Sequence, residues 1–414
     1  MNTSSSSAPS ASSKSKTMVF FPWKTVERLT PPLPSWRKAS IIVIATWLAA
    51  CVSRPMPPAA PAGGTSPFAG VRSGDTGPLP PPRLQGKSRW VAVRWAELPG
   101  FEEDALFEAW NAWIKSCERP GPAFAPLCGE VRRLSIASGP EQRAWMVARL
   151  QPYRIESLQG STEGLLTSYY EPVLNASRQP GSGYNIPLYR VPATLGSRRP
   201  WFSRQEIDTL PEARAALNGR EIAWASDPVE VMSLHIQGSG RLNITERDGT
   251  QRVVRVAYAG SNEQPFRSIT QWLLDQGEGR MMAPWVESTK AWALKNSPQR
   301  VQQMLWSNPR YTFFQEQPLN GFDAAFGPKG AQGVPLTPGR SIAVDPGSIP
   351  YGTPVWLASR GGAANLQKLV LAQDTGSAIV GAVRADYFAG TGVDAGLLAS
   401  RVSQPLRLWA LWPK

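Results

Sequence analysis

Apolar, β-prone runs broken by Pro and Gly dominate the C-terminal part of the chain, most clearly over residues 343–390, which read AVDPGSIPYGTPVWL, a polar turn region, then LVLAQDTGSAIVGAVRADYFAG. Short runs bounded in this way predict strands of a small β-barrel. Upstream the periods are mixed. Residues 90–93 predict the first ordered strand, whereas 101–113 and 141–150 carry apolar residues at helical spacing. Their Trp and Leu faces are expected in the core rather than against a ligand. Residues 163–172 (EGLLTSYYEP) predict a strand that stops at Pro172, and 185–190 and 229–236 (VEVMSLHI) predict two more. A Gly-rich turn at 237–241 follows, then helical spacing at 268–274 and 285–305. From 311 onward strand and turn are expected to the end.

Length and composition fit this picture. A chain of 414 residues with 42% hydrophobic content is long enough for two domains and a large core. The net charge of +13 is inflated at the N-terminus by Lys14, Lys16, Lys24, Arg28, Arg37 and Lys38 against Glu27 alone. The remaining positive charge is dispersed, which suits an anionic substrate or surface better than a nucleic acid, and no nucleic-acid recognition motif is present.

The first fifty residues have the order of an export signal: a basic stretch ending at Arg37-Lys38, an apolar run at 41–48, then Leu48-Ala49-Ala50-Cys51. The apolar run is short of the roughly 20 residues that span a bilayer. This arrangement resembles the lipobox of bacterial lipoproteins, in which Cys51 is lipidated and becomes the new N-terminus. That resemblance implies anchoring to a membrane by acyl chains, and Val52 after the cysteine favours the outer membrane. Met18 gives a signal of more usual length than Met1. Residues 51–85, rich in Pro, Gly and Ser, are expected to form a disordered tether.

Few residues are available for metal or nucleophilic chemistry. Cys117 and Cys128 are spaced so that a loop-closing disulfide is permitted in an oxidising periplasm. With His235 the chain's only histidine, a structural zinc site lacks ligands, and no nucleophile elbow surrounds that residue. No metal or cofactor is expected. Attention therefore falls on three acids at the ends of predicted strands, Asp345, Asp374 and Asp386. Asp374 is the best placed, emerging from the apolar run Leu369-Val370-Leu371-Ala372 into the turn Thr375-Gly376-Ser377.

Several segments together resemble the membrane-bound lytic murein transglycosylase A family: residues 166–172 (LTSYYEP), 235–240 (HIQGSG), 257–260 (AYAG) with 266–269 (FRSI), 308–314 (NPRYTFF), and the block of three aspartates. The resemblance implies a mainly β fold: a double-psi β-barrel built from 86–172 and 308–414, a smaller β-rich domain inserted at 173–307, a groove between them, and accessory helices. It also implies cleavage of the β-1,4 bond between N-acetylmuramic acid and N-acetylglucosamine in peptidoglycan, leaving a 1,6-anhydromuramoyl end. Asp374 matches the family's catalytic aspartate, with Asp345 and Asp386 as supporting acids. Thr167, Tyr169, Gln237, Gly238, Ser239 and Gly376 are candidate contacts to the glycan strand. Cell-wall synthesis or remodelling proteins are candidate partners. Two positions depart from the commonest form of the block, Ser377 where Gly is usual and Val380 where Lys is usual.

One carboxyl suffices if the sugar's own C6 hydroxyl is the nucleophile, whereas ordinary glycosidases need two. Asp374 must then begin protonated, far above the model value of about 3.9, through burial and a like charge from Asp345 or Asp386. Two rivals stand beside this reading. Asp374-Thr375-Gly376 also resembles an aspartic-protease loop, but its only second copy, Asp75-Thr76-Gly77, lies in the tether without a preceding strand. The other rival is a non-catalytic peptidoglycan-binding lipoprotein on the same barrel.

Overall fold

A computed structural model describes residues 75, 77–279 and 284–414. The expected signal over 1–50, Cys51 and most of the tether lie outside those residues. The strands are β1 (Arg83–Gln85), β2 (Ser88–Ala92), β3 (Leu150–Ser157), β4 (Gly164–Glu171), β5 (Val173–Ser177), β6 (Ile186–Tyr189), β7 (Glu221–Ala225), β8 (Gly240–Thr245), β9 (Gln251–Ser261), β10 (Thr312–Pro318), β11 (Ser341–Val344), β12 (Pro354–Arg360), β13 (Asn365–Asp374), β14 (Arg384–Thr391) and β15 (Ser403–Pro413). The helices are α1 (Leu106–Ser116), α2 (Cys128–Arg133), α3 (Gly139–Arg149), α4 (Arg204–Thr209), α5 (Pro211–Leu217), α6 (Pro228–Gln237), α7 (Ile269–Asp275), α8 (Trp285–Ala293), α9 (Pro298–Trp306) and α10 (Val393–Arg401).

The barrel closes through its last strand. β15 pairs with β4 over residues 403–406 and with β12 further along, so that β4, β15, β12, β13, β11 and β14 form a ring. Alternation along β13 explains its unbroken apolar run: Val370 and Ala372 fill the barrel with Ile342, Val344, Val355 and Leu357, while Leu369 and Leu371 face a helical layer outside it. In that layer Trp110 and Trp113 of α1 and Trp145 of α3 pack with ring centroids 5.2–5.7 Å apart, as the helical spacing predicted for core aromatics. Arg340, 2% exposed, ties the layer to the barrel by a bidentate pair with Asp104, both bonds 2.8 Å. The Cys117–Cys128 disulfide is formed, joining the end of α1 to the start of α2.

A second sheet, ordered β10-β9-β8-β5-β7-β6, encloses its own core of Leu174, Leu242, Ile244, Val254, Val256 and Phe314. It corrects two expectations. Residues 229–236 are helix α6 rather than strand: Asp227 caps it by accepting the Val229 and Glu230 N–H groups, Pro228 opens it, and the helix is buried nearly all round, so its apolar run shows no period. β10, expected to rejoin the barrel from residue 308, pairs with β9 instead, so the chain stays in the second sheet until Pro318.

Smaller corrections follow the same physics. The helical pattern at 285–305 is two helices, parted where Ser297 caps α9 with Pro298 in its first turn. Residues 393–401, expected as strand and turn, form α10. The tether ends early, because β1 pairs with β2 and the Trp95 N–H donates to the Asp75 carboxylate at 2.9 Å.

The chain leaves the barrel for the second sheet at Glu171-Pro172, where an ionic knot forms. Glu171, fully buried, accepts from Arg241 of β8 (2.7 Å), Arg255 of β9 (2.5 Å) and the Thr391 hydroxyl of β14 (2.7 Å). Truncating it strands two guanidinium groups that are 13% and 8% exposed. Glu171→Ala is expected to lose roughly 3–5 kcal/mol of unfolding free energy, read from the urea midpoint at constant m-value. A loss within 0.5 kcal/mol, about the noise of a surface change, would refute this role.

Candidate active site

One row of paired residues crosses the barrel wall at the end of β13. Asp374 of β13 pairs with Ala343 of β11, Ala343 pairs with Asp386 of β14, and Asp386 pairs with Thr167 of β4. Regular alternation would give Asp374 the barrel-filling face of Val370 and Ala372. A register shift prevents it: Ile342 pairs with Ala372, but the next residue, Ala343, pairs with Asp374, skipping Gln373. Bulges of this kind re-aim a side chain. Here the bulge brings Asp374 to the face that carries Asp386, Thr167 and Tyr169, with the small Ala343 between the two acids in register.

The half-buried Asp374 carboxylate is held from two sides. Tyr169 Oη donates to Oδ2 at 2.8 Å, and the Ala331 N–H donates to Oδ1 at 2.9 Å. Ala331 reaches it because Gly330 approaches closely; a Cβ at Gly330 would lie 2.4 Å from Gln373 O and 3.2 Å from Asp374 Cβ. Burial raises Asp374 above the ordinary aspartate value, opposed by the Tyr169 hydroxyl and the N–H groups of Thr375 and Ala331. Tyr169 is itself pushed well above the usual tyrosine range by burial and by Asp374, so it remains a donor. Its ring packs 5.2 Å from Phe388.

Asp386 is pushed up to about 6, mainly by burial, with the Asp374 charge adding and the Thr167 hydroxyl and Arg384 opposing. Thr167 donates to Asp386 and accepts from Arg384 Nη2 at 2.8 Å. The Asp374 charge is thus one of the smaller influences on Asp386, after burial, Thr167 and Arg384.

Asp345 lies outside this row. Its carboxylate accepts from the Gly347 N–H (2.9 Å), the Gly381 N–H (2.9 Å) and Lys87 Nζ (3.0 Å), and these donors hold it below the usual range although burial works against them. It is an ionised loop anchor joining the β1–β2 turn to the loop after Asp374, whereas Asp386 shares the strand face of Asp374. Asp75, the other D-T-G aspartate, is occupied at Arg94 and Trp95.

The remaining candidates fall at the end of α6 and in the loop after Asp374. Gln237 Oε1 accepts the Tyr170 N–H at 3.1 Å, which sets Gln237 against the strand that carries Tyr169. Gly238 caps α6 at φ 81°, a left-handed position suited to glycine, and Ser239 Oγ accepts the Tyr258 N–H at 3.3 Å. Gly376 accepts the Ile379 N–H in the loop, whose Val380 is exposed. His235 lies apart, buried with Arg204 and Tyr311, and burial lowers it well below the usual histidine range.

Ala331, Gly330 and Arg384 are missing from the sequence-derived set. An N–H donor has no residue signature, so Ala331 and Gly330 gave no signal beyond the glycine. Arg384 was legible in principle, two residues before Asp386 and hence on the same strand face.

Comparison with known proteins agrees with the geometry. Residues 165–315 match the MltA specific insert domain, and 340–412 match the 3D domain. A membrane-bound lytic murein transglycosylase A of Vibrio cholerae is 30% identical over 302 residues, 70% of this chain and 76% of that protein. The solved lytic transglycosylase LtgG of Burkholderia pseudomallei is 41% identical with a TM-score of 0.55, covering 82% of this chain and 97% of that one. MltA of Neisseria gonorrhoeae gives a TM-score of 0.65 at 27% identity, covering 81% and 94%.

The Gly330 approach is testable through titration. Gly330→Val is expected to cost about 1–3 kcal/mol in thermal unfolding. By displacing the Ala331 N–H, which favours the ionised carboxylate, it should also raise the Asp374 pKa measured by carboxyl-carbon NMR. An unchanged Asp374 titration in a folded variant would exclude this donor.

Proposed function

Since this chain belongs to the membrane-bound lytic murein transglycosylase A family and is a lytic transglycosylase, we propose that it cleaves the MurNAc–GlcNAc β-1,4 bond of peptidoglycan and leaves a 1,6-anhydromuramoyl end, with Asp374 first as acid and then as base. The observation that carries this reading is Asp374 itself: a carboxyl raised by burial, turned by a bulge onto the face of Asp386, and fixed by Tyr169 and Ala331.

The sequence of steps needs one proton and no added nucleophile. Asp374 gives its proton to the glycosidic oxygen as the C1–O bond breaks, releasing the GlcNAc-side hydroxyl. The resulting carboxylate takes the C6-hydroxyl proton while O6 bonds to C1, restoring the acid. Both donors to Asp374 stabilise that intermediate carboxylate. Glycan lying over the row would displace water and raise Asp374 further before the first step. Asp386 supports the acid form by its like charge, and Thr167, Tyr169, Gln237, Gly238, Ser239 and Gly376 are the proposed groove contacts.

The proposed location is the periplasmic face of the outer membrane, through lipid on Cys51. Relatives named as membrane-bound support this, as does the formed Cys117–Cys128 disulfide, which suits an oxidising compartment.

Digestion of purified sacculi tests the reaction by product mass. Products lighter by one water than hydrolysed muropeptides are expected; products carrying the added water mean a hydrolase, and no release means a binder. Asp374→Asn should lower release about a thousandfold or more, roughly 4 kcal/mol in barrier, while melting cooperatively. A variant that still forms anhydro ends at the native rate would remove Asp374 from the mechanism.

The pH dependence follows from the pair. Activity needs the acid protonated, so kcat/KM is expected to fall as pH rises through the Asp374 value, which burial places above the ordinary aspartate range. Asp386→Asn removes the neighbouring negative charge and lowers the Asp374 pKa, so the falling limb should move to lower pH. Movement to higher pH would contradict the assigned coupling.

A further inference from the structure

We propose that Gln332 is a positioning residue for the reaction and that the loop closed by the Cys117–Cys128 disulfide is its support; the proposal rests on Asp374 being the acid. The hydrogen bonds of Gln332 go to residues other than Asp374. It follows Ala331, whose N–H is one of the donors that hold the carboxylate. The turn carrying Ala331 is short and lies at the surface, pinned internally by Gly330 N–H to Val334 O (3.0 Å) and Gly333 N–H to Gly330 O (2.8 Å). Those bonds shape the turn without saying where it sits.

Gln332 supplies the location. Its own N–H donates to Gln373 O at 3.0 Å, at the bulge itself. Its side-chain amide spans to the end of α1: Nε2 donates to Ser116 O (3.3 Å) and Arg119 O (3.1 Å), and Oε1 accepts from Ser116 Oγ (3.2 Å). Only one orientation of the amide satisfies all three partners, because two are carbonyl oxygens and one is a hydroxyl. Arg119 also underlies the turn, its Nη1 2.7 Å from where a Cβ of Gly333 would be.

The partners are themselves fixed. Residues 116–119 include Cys117, bonded to Cys128, and Arg132 Nη2 donates to Cys117 O at 2.7 Å. Ser116 Oγ further accepts from Gln373 Nε2 at 2.8 Å. Disulfide loop, Gln332, Ala331 N–H and Asp374 Oδ1 thus form one continuous chain, with two contacts reaching the bulge residue Gln373. The chemistry asks for such a device, because an N–H aimed at a carboxylate favours its ionised form only while the distance holds.

Gln332→Leu keeps the volume and removes every side-chain bond. Release of anhydro products is expected to drop about tenfold in kcat with KM nearly unchanged, since no substrate contact is lost. The falling limb of the pH profile should move to higher pH, because Asp374 loses a donor that favours its charge; a merely structural loss would leave that limb in place. Gln332→Met is the second variant should the first fail to melt cooperatively. The double variant Cys117→Ala, Cys128→Ala should shift the limb in the same direction, and adding Gln332→Leu to it should shift the limb little further. A Gln332 variant with the native pH profile, or full additivity with the cysteine pair, would overturn the proposal. Asp374→Asn is assayed alongside: if it stays active the acid assignment itself fails, whereas an inactive Asp374→Asn beside a native Gln332 profile defeats only the positioning role.

Discussion

The active face of this molecule depends on a single buried carboxylate that takes no part in the chemistry. Glu171 ends β4, the strand that carries Thr167 and Tyr169, and it receives arginines from two strands of the second sheet and a hydroxyl from β14. The same arginines reach back to the Ala324 and Phe326 carbonyls, so the segment returning from the second sheet is held at the same point. Removing two guanidinium groups and a carboxylate from water is costly unless each bond is made. All are made only in one arrangement of the sheets, which gives the knot its value as a specifier of geometry rather than a source of net stability.

From that fixed strand the site is assembled by departures from regular structure. The bulge opposite Ile342-Ala343 turns Asp374 toward Tyr169, the small Ala343 stands between Asp374 and Asp386 in register, and Gly330 lets a backbone donor come within reach. The bulge, Ala343 and Gly330 supply no reacting group. Each removes bulk or shifts register, and the polar groups then meet at hydrogen-bond distance on rigid strands. Arg340 with Asp104, and Gln373 with the end of α1, lock β13 to the helical layer so that the bulge cannot relax.

How much of this was legible depended on what kind of signal each part leaves. The barrel strands and Asp374 were visible because an apolar run ending in Asp-Thr-Gly has few other readings. The segment at 229–236 misled, since burial on all sides erases the period that separates helix from strand, and its real marker was Asp227-Pro228 in front of it. Asp345 and Asp386 looked equivalent, each at the end of an apolar run beside turn residues. Only pairing across β11 separates them: Asp386 sits in register with Thr167 and, through Ala343, with Asp374, whereas Asp345 lies beyond the strand among N–H donors. Strand order is a long-range property, and no local pattern encodes it.

The placement of one proton decides whether a single aspartate can work. Tyr169 and two backbone donors favour the charged form of Asp374, while Asp386 has the Thr167 hydroxyl and a more distant cation in Arg384. Burial works against those donors and raises both acids, so the surroundings draw Asp374 toward its protonated form while its hydrogen bonds oppose it. In the proposed reaction, substrate covering the row would remove water from Asp374 and raise it further. An acid formed in this way would be strong when the glycosidic oxygen arrives, and the donors that disfavoured it would then stabilise the carboxylate it becomes. On the proposed mechanism, the hydrogen bonds that oppose protonation of Asp374 are thus the ones that lower the barrier to its giving up the proton.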